Sequence, residues 1–344
     1  MSQNLPFSFL QLPEAVQKEQ LERFKGVCAL YGYEGFLRLQ NAHAVVIGNG
    51  GVGSWIAESL TRTGVGSISL IDFDNIELSN SNRQLHTLSS TICKQKSETL
   101  GARLKDINPY LKLDTIGELI SRNNVKSIMA RALRLDESVL EGSDTTALNK
   151  LLDPNDLAAQ KLKQCYGGAE YAKRGPNPHI PGNIFVAEAI DDLFAKAAVV
   201  DYIHRLQIPL VTSGGAGGRI DPSRVRTADI TEARGDQLIK RLRTELRRHY
   251  DYPKGVDDNS NGENSRKSKK SGKAPDERFN ILCSFSDEKP MRSQDRLGFD
   301  ASPESFGLID PPELPKFGAS VTVTATAGLL IASIIIRWIV GARV

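Results

Sequence analysis

A glycine-rich turn between an apolar run and a helix places the strongest constraint on how this chain can fold. Residues 43–47 form a short apolar run, residues 48–53 read Gly-Asn-Gly-Gly-Val-Gly, and helix periodicity follows from 54 to 63. A second apolar run spans residues 67–72. This order of strand, glycine turn, helix and second strand is typical of the parallel crossover in doubly wound α/β folds. We therefore predict a mostly parallel sheet with helices on both of its faces.

The rest of the chain alternates between segments that suit a packed core and segments that do not. Further helix patterns occur at 14–41, 89–107 and 231–249, and further strand patterns at 184–190 and 209–212. Residues 121–183 are polar and are predicted to be an insertion, whereas the Gly, Ser, Asn and Lys content of 253–278 is typical of a flexible crossing loop. The patterns predict four parts: an N-terminal helical segment (1–42), a nucleotide-binding domain that contains the insertion (43–252), the basic crossing loop (253–278), and a C-terminal strand and helix of the same fold (279–344).

The cysteines and the N-terminal residues favour a reducing compartment. The cysteines Cys28, Cys93, Cys165 and Cys283 include no Cys-x-x-Cys pair, which disfavours both a disulfide framework and a thiolate zinc site. Residues 1–20 lack the apolar core of a secretory signal, and their acidic residues argue against a transit peptide. The net charge of +3 is too small to indicate a partner. We expect a cytoplasmic protein, or one that faces the cytosol on a membrane (the mitochondrial outer membrane in a eukaryote).

The C-terminal segment 317–336 has two interpretations. It carries no charge and has about the 20 residues that a bilayer requires, so a membrane contact through 317–340 is one of them. The alternation Val-Thr-Val-Thr at 321–324, together with Gly318 and Gly328, instead favours a buried strand or loop that leads into a helix. A nucleotide-binding scaffold at a membrane is therefore a non-enzymatic alternative for the whole chain.

The glycine turn and the acid at the end of the second apolar run form a candidate nucleotide site. Gly48, Gly50, Gly51 and Gly53 let the backbone approach a phosphate, and the next helix presents free N–H groups and the positive end of its dipole. Asp72 lies where a carboxylate can accept hydrogen bonds from ribose hydroxyls. Nicotinamide, flavin and ATP users all show this pattern, and a glycine turn without a ligand is a further alternative.

Polar and charged residues after Asp72 favour a triphosphate over a dinucleotide. They are Asp74, Asn80, Arg83, Gln84 and Lys96. Arg83 can form paired hydrogen bonds with phosphate oxygens, and Lys96 can add a second positive charge. Nucleotidyl transfer requires such charge because three phosphates and the leaving pyrophosphate must be stabilised. The paired acids Asp191 and Asp192 follow a predicted strand, where a carboxylate can hold Mg²⁺. Each of these residues alone is more often a solvated surface charge.

These residues resemble the motifs of the ubiquitin-activating-like adenylating enzymes, of ThiF, MoeB and HesA type. The matching motifs are Gly-x-Gly-Gly-x-Gly from 48, Asp-x-Asp from 72, Ser-Asn-x-Asn-Arg-Gln from 79, Lys96 and Asp191. The resemblance implies a Rossmann-like adenylation domain at 43–252 that uses ATP and Mg²⁺. It implies that Asp72 binds the ribose, and that Arg83 and Lys96 bind the triphosphate and act in catalysis. It also implies that Asp191 is a catalytic magnesium ligand. The pocket would be lined by Asp74, Asn80 and Gln84.

Further stretches are similar to the branch of this family that acts on N6-threonylcarbamoyladenosine in tRNA, next to the anticodon. They are residues 23–32, 51–55, 62–66, 212–222, 283–286 and 317–322. Enzymes of this branch adenylate the carboxylate of the modification, which then closes into a ring while AMP and pyrophosphate leave. Because the ring closure is intramolecular, little entropy remains to be lost. The resemblance also implies a homodimer and a sulfur-transfer partner protein of the kind that some bacterial relatives use.

An alternative within the family is the ATP-dependent activation of the C-terminus of a ubiquitin-like or sulfur-carrier protein. Such activators commonly bear paired Cys-x-x-Cys zinc ligands, which this chain lacks. Cys283 matches the cysteine that ubiquitin-like activators use as a nucleophile, so it is a candidate catalytic residue. A buried structural thiol is the other interpretation, and a direct cyclisation needs no thioester.

Basic residues and a second glycine-rich segment complete the candidate features. The predicted helix at 231–249 places Leu238, Leu242 and Leu246 at i, i+4 spacing, which should leave its basic residues outside, and 266–273 adds five positive charges without an acid. Both suit the phosphates of tRNA, although a solvated helix face is the commoner explanation. The glycines of 214–218 require a close backbone approach or an unusual turn, so we expect this segment beside the reacting group.

Overall fold

A seven-stranded sheet runs through the computed structural model, which describes residues 9–135, 182–253, 278–296 and 312–341. The strands are β1 (His43–Ile47), β2 (Ser67–Ile71), β3 (Lys112–Ile116), β4 (Ile184–Glu188), β5 (Leu210–Ser213), β6 (Val225–Asp229) and β7 (Leu282–Ser286). They lie in the order β3-β2-β1-β4-β5-β7-β6, and every pair is parallel except β6 with β7. The predicted mostly parallel sheet is confirmed.

Helices cover both faces of this sheet. In the described residues they are α1 (Glu14–Arg23), α2 (Lys25–Asn41), α3 (Gly53–Arg62), α4 (Lys96–Ile107), α5 (Val125–Leu133), α6 (Leu193–Arg205), α7 (Gln237–His249), α8 (Ser293–Arg296) and α9 (Val321–Val340). Side chains of a strand alternate between its faces. Val45 and Ile47 therefore join a core with α5, α6 and α7, while Ala44 and Val46 join a core with α3, α4 and α9. The doubly wound arrangement buries the parallel strands on both sides.

The first part of the segment predicted as an insertion belongs to the core. Helix α5 lies within 121–183 and buries Ile128 and Met129 against the sheet. The buried ring of His43 donates to the carbonyl oxygen of Ala132 in this helix over 2.8 Å. The rest of the predicted insertion (136–181) and nearly all of the predicted crossing loop (254–277) lie outside the described residues.

Helix α4 begins at Lys96 and not at Ser89 as the sequence pattern predicted. Cys93 has a φ of 67°, a left-handed conformation that a helix cannot contain. The side chain of Gln95 then accepts a 2.7 Å hydrogen bond from the backbone N–H of Glu98 and caps the helix. Lys96 is therefore the first helical residue, close to the segment that follows β2.

The strand or loop predicted to lead into a helix at 321–324 is wrong in that detail, because helix α9 already begins at Val321. The backbone N–H of Thr324 donates to the carbonyl oxygen of Ser320 over 3.1 Å. Buried residues then recur at helical spacing, among them Ala327 and Ile331. Packing of the helix against the sheet overrides the local β preference of valine and threonine.

Helix α9 is an interior element of the fold. It is long and apolar enough to cross a membrane by length and composition, yet 61% of its most apolar window is buried. Gly328 packs so closely on α3 that an added Cβ would lie 2.6 Å from the carbonyl oxygen of Val52. The structure thus favours the buried interpretation of this segment.

Candidate nucleotide-binding site

A cavity of about 580 Å³ opens at the carboxyl ends of β1, β2 and β4. Ligands of open parallel sheets bind at this edge, beside the strand order reversal. The walls come from the glycine turn, from the segment after β2, and from the loops 118–122 and 189–192. The predicted site residues that line the cavity are Gly48, Gly50, Asp72, Asp74 and Asp191.

Close backbone packing fixes the glycine turn. Gly48 has a φ of 79°, and an added Cβ would lie 2.7 Å from the carbonyl oxygen of Ala189. A Cβ on Gly53 would overlap the carbonyl oxygen of Gly48. Glycine is therefore required at both positions. Gly51 lies under the side chain of Arg83. A Cβ added to Gly51 would lie 3.1 Å from the Cγ of Arg83, so this arginine is a neighbour of the start of α3.

Two backbone N–H groups hold the carboxylate of Asp72 at the cavity wall. The N–H of Asn49 donates to one oxygen over 2.6 Å, and that of Asp74 donates to the other over 2.9 Å. Burial raises the pKa of Asp72, an effect that the two N–H groups and the charge of Lys96 partly offset. A carboxylate oxygen can accept more than one hydrogen bond, so ribose hydroxyls could bind here as well.

Lys96 lies behind the cavity wall and pairs with Asp74. Its ammonium group is 2.7 Å from a carboxylate oxygen of Asp74, and the lysine side chain is buried while that of the aspartate is about half exposed. Asp74 lines the cavity and Lys96 does not. The buried positive charge of Lys96 is therefore separated from the cavity by the side chain of Asp74.

The other predicted residues lie beside the cavity and not in it. Arg83 is half-buried, and its guanidinium donates to the side chain of Asn82 over 2.9 Å. The side-chain oxygen of Asn80 accepts a 3.1 Å hydrogen bond from the backbone N–H of Glu77 and so shapes the local turn. Gln84 is buried, and its Oε1 has no hydrogen-bond partner among the described residues.

The paired acids after β4 have different surroundings. Asp192 caps α6, because its side chain accepts from the N–H groups of Phe194 and Ala195 over 3.1 and 2.8 Å. Both acids line the cavity, but Asp191 makes no hydrogen bond or ion pair with the described residues. The described ranges contain no cluster of three or more potential metal ligands. A single free carboxylate fits Mg²⁺, which proteins usually hold through one or two carboxylates plus substrate phosphates.

The apolar side of the cavity was not identified from the sequence. Phe73, Leu119 and Phe194 line it and are each more than half exposed. The guanidinium of Arg122 lies 5.4 Å from the ring centre of Phe194 and forms an ion pair with Glu245. Apolar and aromatic surfaces of this kind suit a flat base. No motif marks these residues, because only the fold brings their separate loops together.

A buried polar group near Lys96 was also missed. His86 is 2% exposed, and neither of its ring nitrogens has a partner among the described residues. Burial lowers the pKa of His86 to about 4, and the charge of Lys96 adds to this effect. The hydroxyl of Thr87 is likewise buried without a partner. Unpaired buried polar atoms lower stability, and neither His86 nor Thr87 lines the cavity.

Cys283 lies outside the cavity, fully buried on β7. Burial raises the pKa of its thiol, and the carboxylates of Asp236 and Asp229 add to the rise. A reactive cysteine requires the opposite shift. The structure therefore favours a structural thiol over a nucleophile.

The glycine-rich segment after β5 is joined to the start of α7. The N–H of Gly215 donates to Asp236 over 3.0 Å, and the same side chain accepts from Leu238 and Ile239 and caps the helix. Helix α7 consequently begins at Gln237 and not near Thr231 as predicted. That this segment lies beside the reacting group stays a prediction.

The predicted orientation of the basic residues of α7 is only partly correct. Leu242 and Leu246 are buried as expected, but Arg243 is buried too. Its guanidinium donates to the carbonyl oxygens of Ile230 and Ala233 over 2.8 and 2.9 Å, which explains why a charge lies inside. The exposed lysine and arginine residues of the helix are Lys240, Arg241 and Arg248.

Known proteins resemble this chain along most of its length. Residues 25–177 match the model of the ThiF family. The tRNA threonylcarbamoyladenosine dehydratase of Escherichia coli K12 is 30% identical over 315 residues, which is 91% of each chain. The Haemophilus influenzae protein of the same name is 30% identical over 92% of each chain. The crystal structure of the E. coli dehydratase in complex with ATP has a TM-score of 0.63 and 28% identity over 93% of this chain and 94% of that one. These matches confirm the resemblance seen in the motifs, and the chain belongs to the ThiF family.

Proposed function

We propose that this protein adenylates the carboxylate of N6-threonylcarbamoyladenosine in tRNA with ATP and promotes its cyclisation. The observation that carries the proposal is the similarity to enzymes named for this dehydration over 91% of each chain. One of those enzymes binds ATP in its crystal structure, and the cavity described above is suited to the same nucleotide. Because tRNA is the substrate, we expect the reaction in the cytoplasm.

ATP would occupy the cavity with its base on the apolar side and its ribose at Asp72. Its phosphates would follow the glycine turn to the N-terminus of α3, where free N–H groups favour anions. Lys96 and Arg83 flank this path and would stabilise the negative charge that moves onto the leaving pyrophosphate. A Mg²⁺ ion bound by Asp191 would neutralise phosphate charge and orient the phosphates.

The reaction requires two displacements. A carboxylate oxygen of the modified adenosine forms a bond to the α-phosphorus of ATP, and the bond from that phosphorus to the oxygen bridging to the β-phosphate breaks. The acyl adenylate then loses AMP when a nucleophile within the same modification attacks the acyl carbon. The net change in the nucleoside is the loss of one water, whose oxygen leaves with AMP. Neither step needs a cysteine, in agreement with the burial of Cys283.

The exposed residues Lys240, Arg241 and Arg248 of α7 support a contact with tRNA phosphates. A homodimer, a sulfur-transfer partner protein and a membrane contact through 317–340 all stay predictions.

The decisive experiment is mass spectrometry of nucleosides from modified tRNA after incubation with the protein, ATP and Mg²⁺. We expect the nucleoside mass to fall by one water, with one AMP and one pyrophosphate released for each event. Asp191→Asn should abolish turnover, whereas Asp192→Asn, which can still cap α6, should retain it. Unchanged nucleoside mass with the wild-type protein would refute the proposal. Pyrophosphate exchange that depends on a protein ending in Gly-Gly would instead support carrier-protein activation.

A further inference from the structure

We propose that the hydrogen bonds of the buried Glu188 side chain, which is paired with Lys196, position the carboxylate of Asp191 towards the phosphates and Mg²⁺ of bound ATP. The proposal rests on the function proposed above. Both side chains are fully buried, and neither lines the cavity. They therefore act through Asp191 and not by contact with the substrate.

The carboxylate of Glu188 controls the peptide before Asp191. Glu188 is the last residue of β4, and its Oε1 accepts a 2.6 Å hydrogen bond from the backbone N–H of Ile190. Its Oε2 is occupied by the ammonium of Lys196 and by the hydroxyl of Thr212, both at 2.5 Å. Neither oxygen can turn away without losing a hydrogen bond in a dry environment, where unpaired polar groups are most costly.

Helix α6 closes the other side of the same turn. Asp192 caps the helix, and Lys196, one turn further on, reaches back to the carboxylate of Glu188. Upstream, the carbonyl oxygen of Ala189 is packed against Gly48, so the turn cannot move towards β1. Residues 189–192 thus form a loop whose ends are both tied to Glu188, and Asp191 is carried at its centre with a free carboxylate.

Stability alone does not explain an ion pair at this position. Desolvation offsets much of the attraction between buried charges, and apolar pairs of similar volume are often as stable or more so. Hydrogen bonds are directional and can fix the orientation of a side chain that binds a metal, which apolar contacts cannot do. Lys196 also donates to the carbonyl oxygen of Ser213 over 2.9 Å. The pair therefore fixes the ends of β4 and β5 relative to each other.

Two double variants separate hydrogen bonding from charge and packing. Glu188→Leu with Lys196→Met fills the space but removes the acceptor for Ile190. Glu188→Gln with Lys196→Met is also uncharged, but its amide oxygen can still accept from Ile190 and its amide N–H can donate to Thr212. ATP binding is measured by calorimetry at a series of Mg²⁺ concentrations, without tRNA, together with the thermal unfolding temperature.

We expect the Leu/Met variant to bind metal-free ATP like the wild type. Its Mg²⁺ midpoint, the Mg²⁺ concentration that gives half of the full effect on ATP binding, should be raised by about tenfold or more. The Gln/Met variant should keep a midpoint near that of the wild type. The matched control is Gln20→Leu with Asn108→Leu, which removes a buried 2.8 Å hydrogen bond away from the cavity and should leave the midpoint unchanged.

An unchanged midpoint in a folded Leu/Met variant, or an equal shift in the control, would overturn the proposal. If the Leu/Met variant does not fold, the Gln/Met variant still decides, because a tenfold shift there would refute positioning by these hydrogen bonds. A wild-type protein that binds Mg²⁺ and ATP but leaves tRNA unchanged would contradict the proposed function and leave this test intact.

Discussion

The backbone N–H of Asn49 donates a 2.6 Å hydrogen bond to the carboxylate of Asp72, which joins the glycine turn to the end of β2. This contact couples the two halves of the nucleotide site. A change at Asp72 should therefore affect both the ribose contact and the turn that carries the phosphates.

We predict that Asp72→Asn raises the Kd for ATP by about tenfold or more, because hydrogen bonds to a charged acceptor are lost or weakened. Isothermal calorimetry with ATP measures the change. Asp106→Asn, a matched substitution of an exposed acid near the end of α4, should have no effect. Equal affinities of the Asp72 variant and the wild type would show that the ribose binds elsewhere.

Lys96→Met should lower turnover by about 100-fold or more, since charge stabilisation in a dry site strongly affects the transition state. The thermal unfolding temperature should change little, because its partner Asp74 is about half exposed and can be solvated. Release of AMP in single-turnover experiments tests the rate. Lys94→Met, two residues away and exposed, is the control, and loss of turnover in both variants would argue against a specific role for Lys96.

Acid should destabilise the protein through His86. Burial lowers the pKa of His86 to about 4 from the 6.5 of a free histidine. Between these values the unfolded chain binds more protons than the folded one, so the free energy of unfolding falls as the pH drops through this window and levels off below it. The slope from this group is at most about 1.4 kcal/mol per pH unit.

Urea unfolding of the wild type and of His86→Gln at about pH 7, 5.5 and 4.5 measures this contribution. The wild type should lose more stability than the variant on going to low pH. His43, whose pKa burial also lowers to about 4, is present in both proteins and cancels in the comparison. The same pH dependence in both proteins would mean that His86 is not buried as a neutral group.

Cys283 should be inert and dispensable for adenylation. A thiol reagent should label the exposed Cys93 in the native protein and reach Cys283 only after unfolding. Cys283→Ala should lower stability by about 1 to 2 kcal/mol through the lost buried volume, while AMP release continues. Cys93→Ala is the control for labelling. Loss of AMP release in a folded Cys283→Ala protein would restore the nucleophile hypothesis.

Removing the exposed charges of α7 should weaken tRNA binding without affecting ATP. For Lys240→Gln, Arg241→Gln and Arg248→Gln combined, the slope of log affinity against log salt should decrease by about 2. Binding of labelled tRNA at several salt concentrations gives this slope. Lys18→Gln with Lys25→Gln removes exposed charges from α1 and α2 and should leave it unchanged. Identical slopes for the α7 variant and the wild type would place tRNA on another surface.

Local signals were sufficient to predict the first crossover and much of the site. In the unit from β1 to β2, the apolar runs, the glycines and Asp72 all favour one structure, and the structure agrees. The errors lie where a tertiary contact decides the outcome. The left-handed Cys93 delays α4, and packing on the sheet turns 321–324 into a helix.

Tertiary contacts also explain the parts of the site that were missed. Phe194 and Arg122 lie far apart in the sequence and meet only because β3 and β4 end at the same edge of the sheet. Arg243 has the charge of a surface residue but is held inside by backbone carbonyl groups. Residue type and spacing carry no information on such partners.

The contact of Gly328 with Val52 has a consequence for how the protein is made. The two residues are 276 positions apart, so the ribosome completes the nucleotide turn long before it synthesises the helix that supports it. A nascent chain that stops short of α9 would contain Asp72, Lys96 and Asp191 and still lack the surface on which α3 rests. Truncated translation products should therefore bind no nucleotide, and ATP consumption would begin only when synthesis has passed this helix.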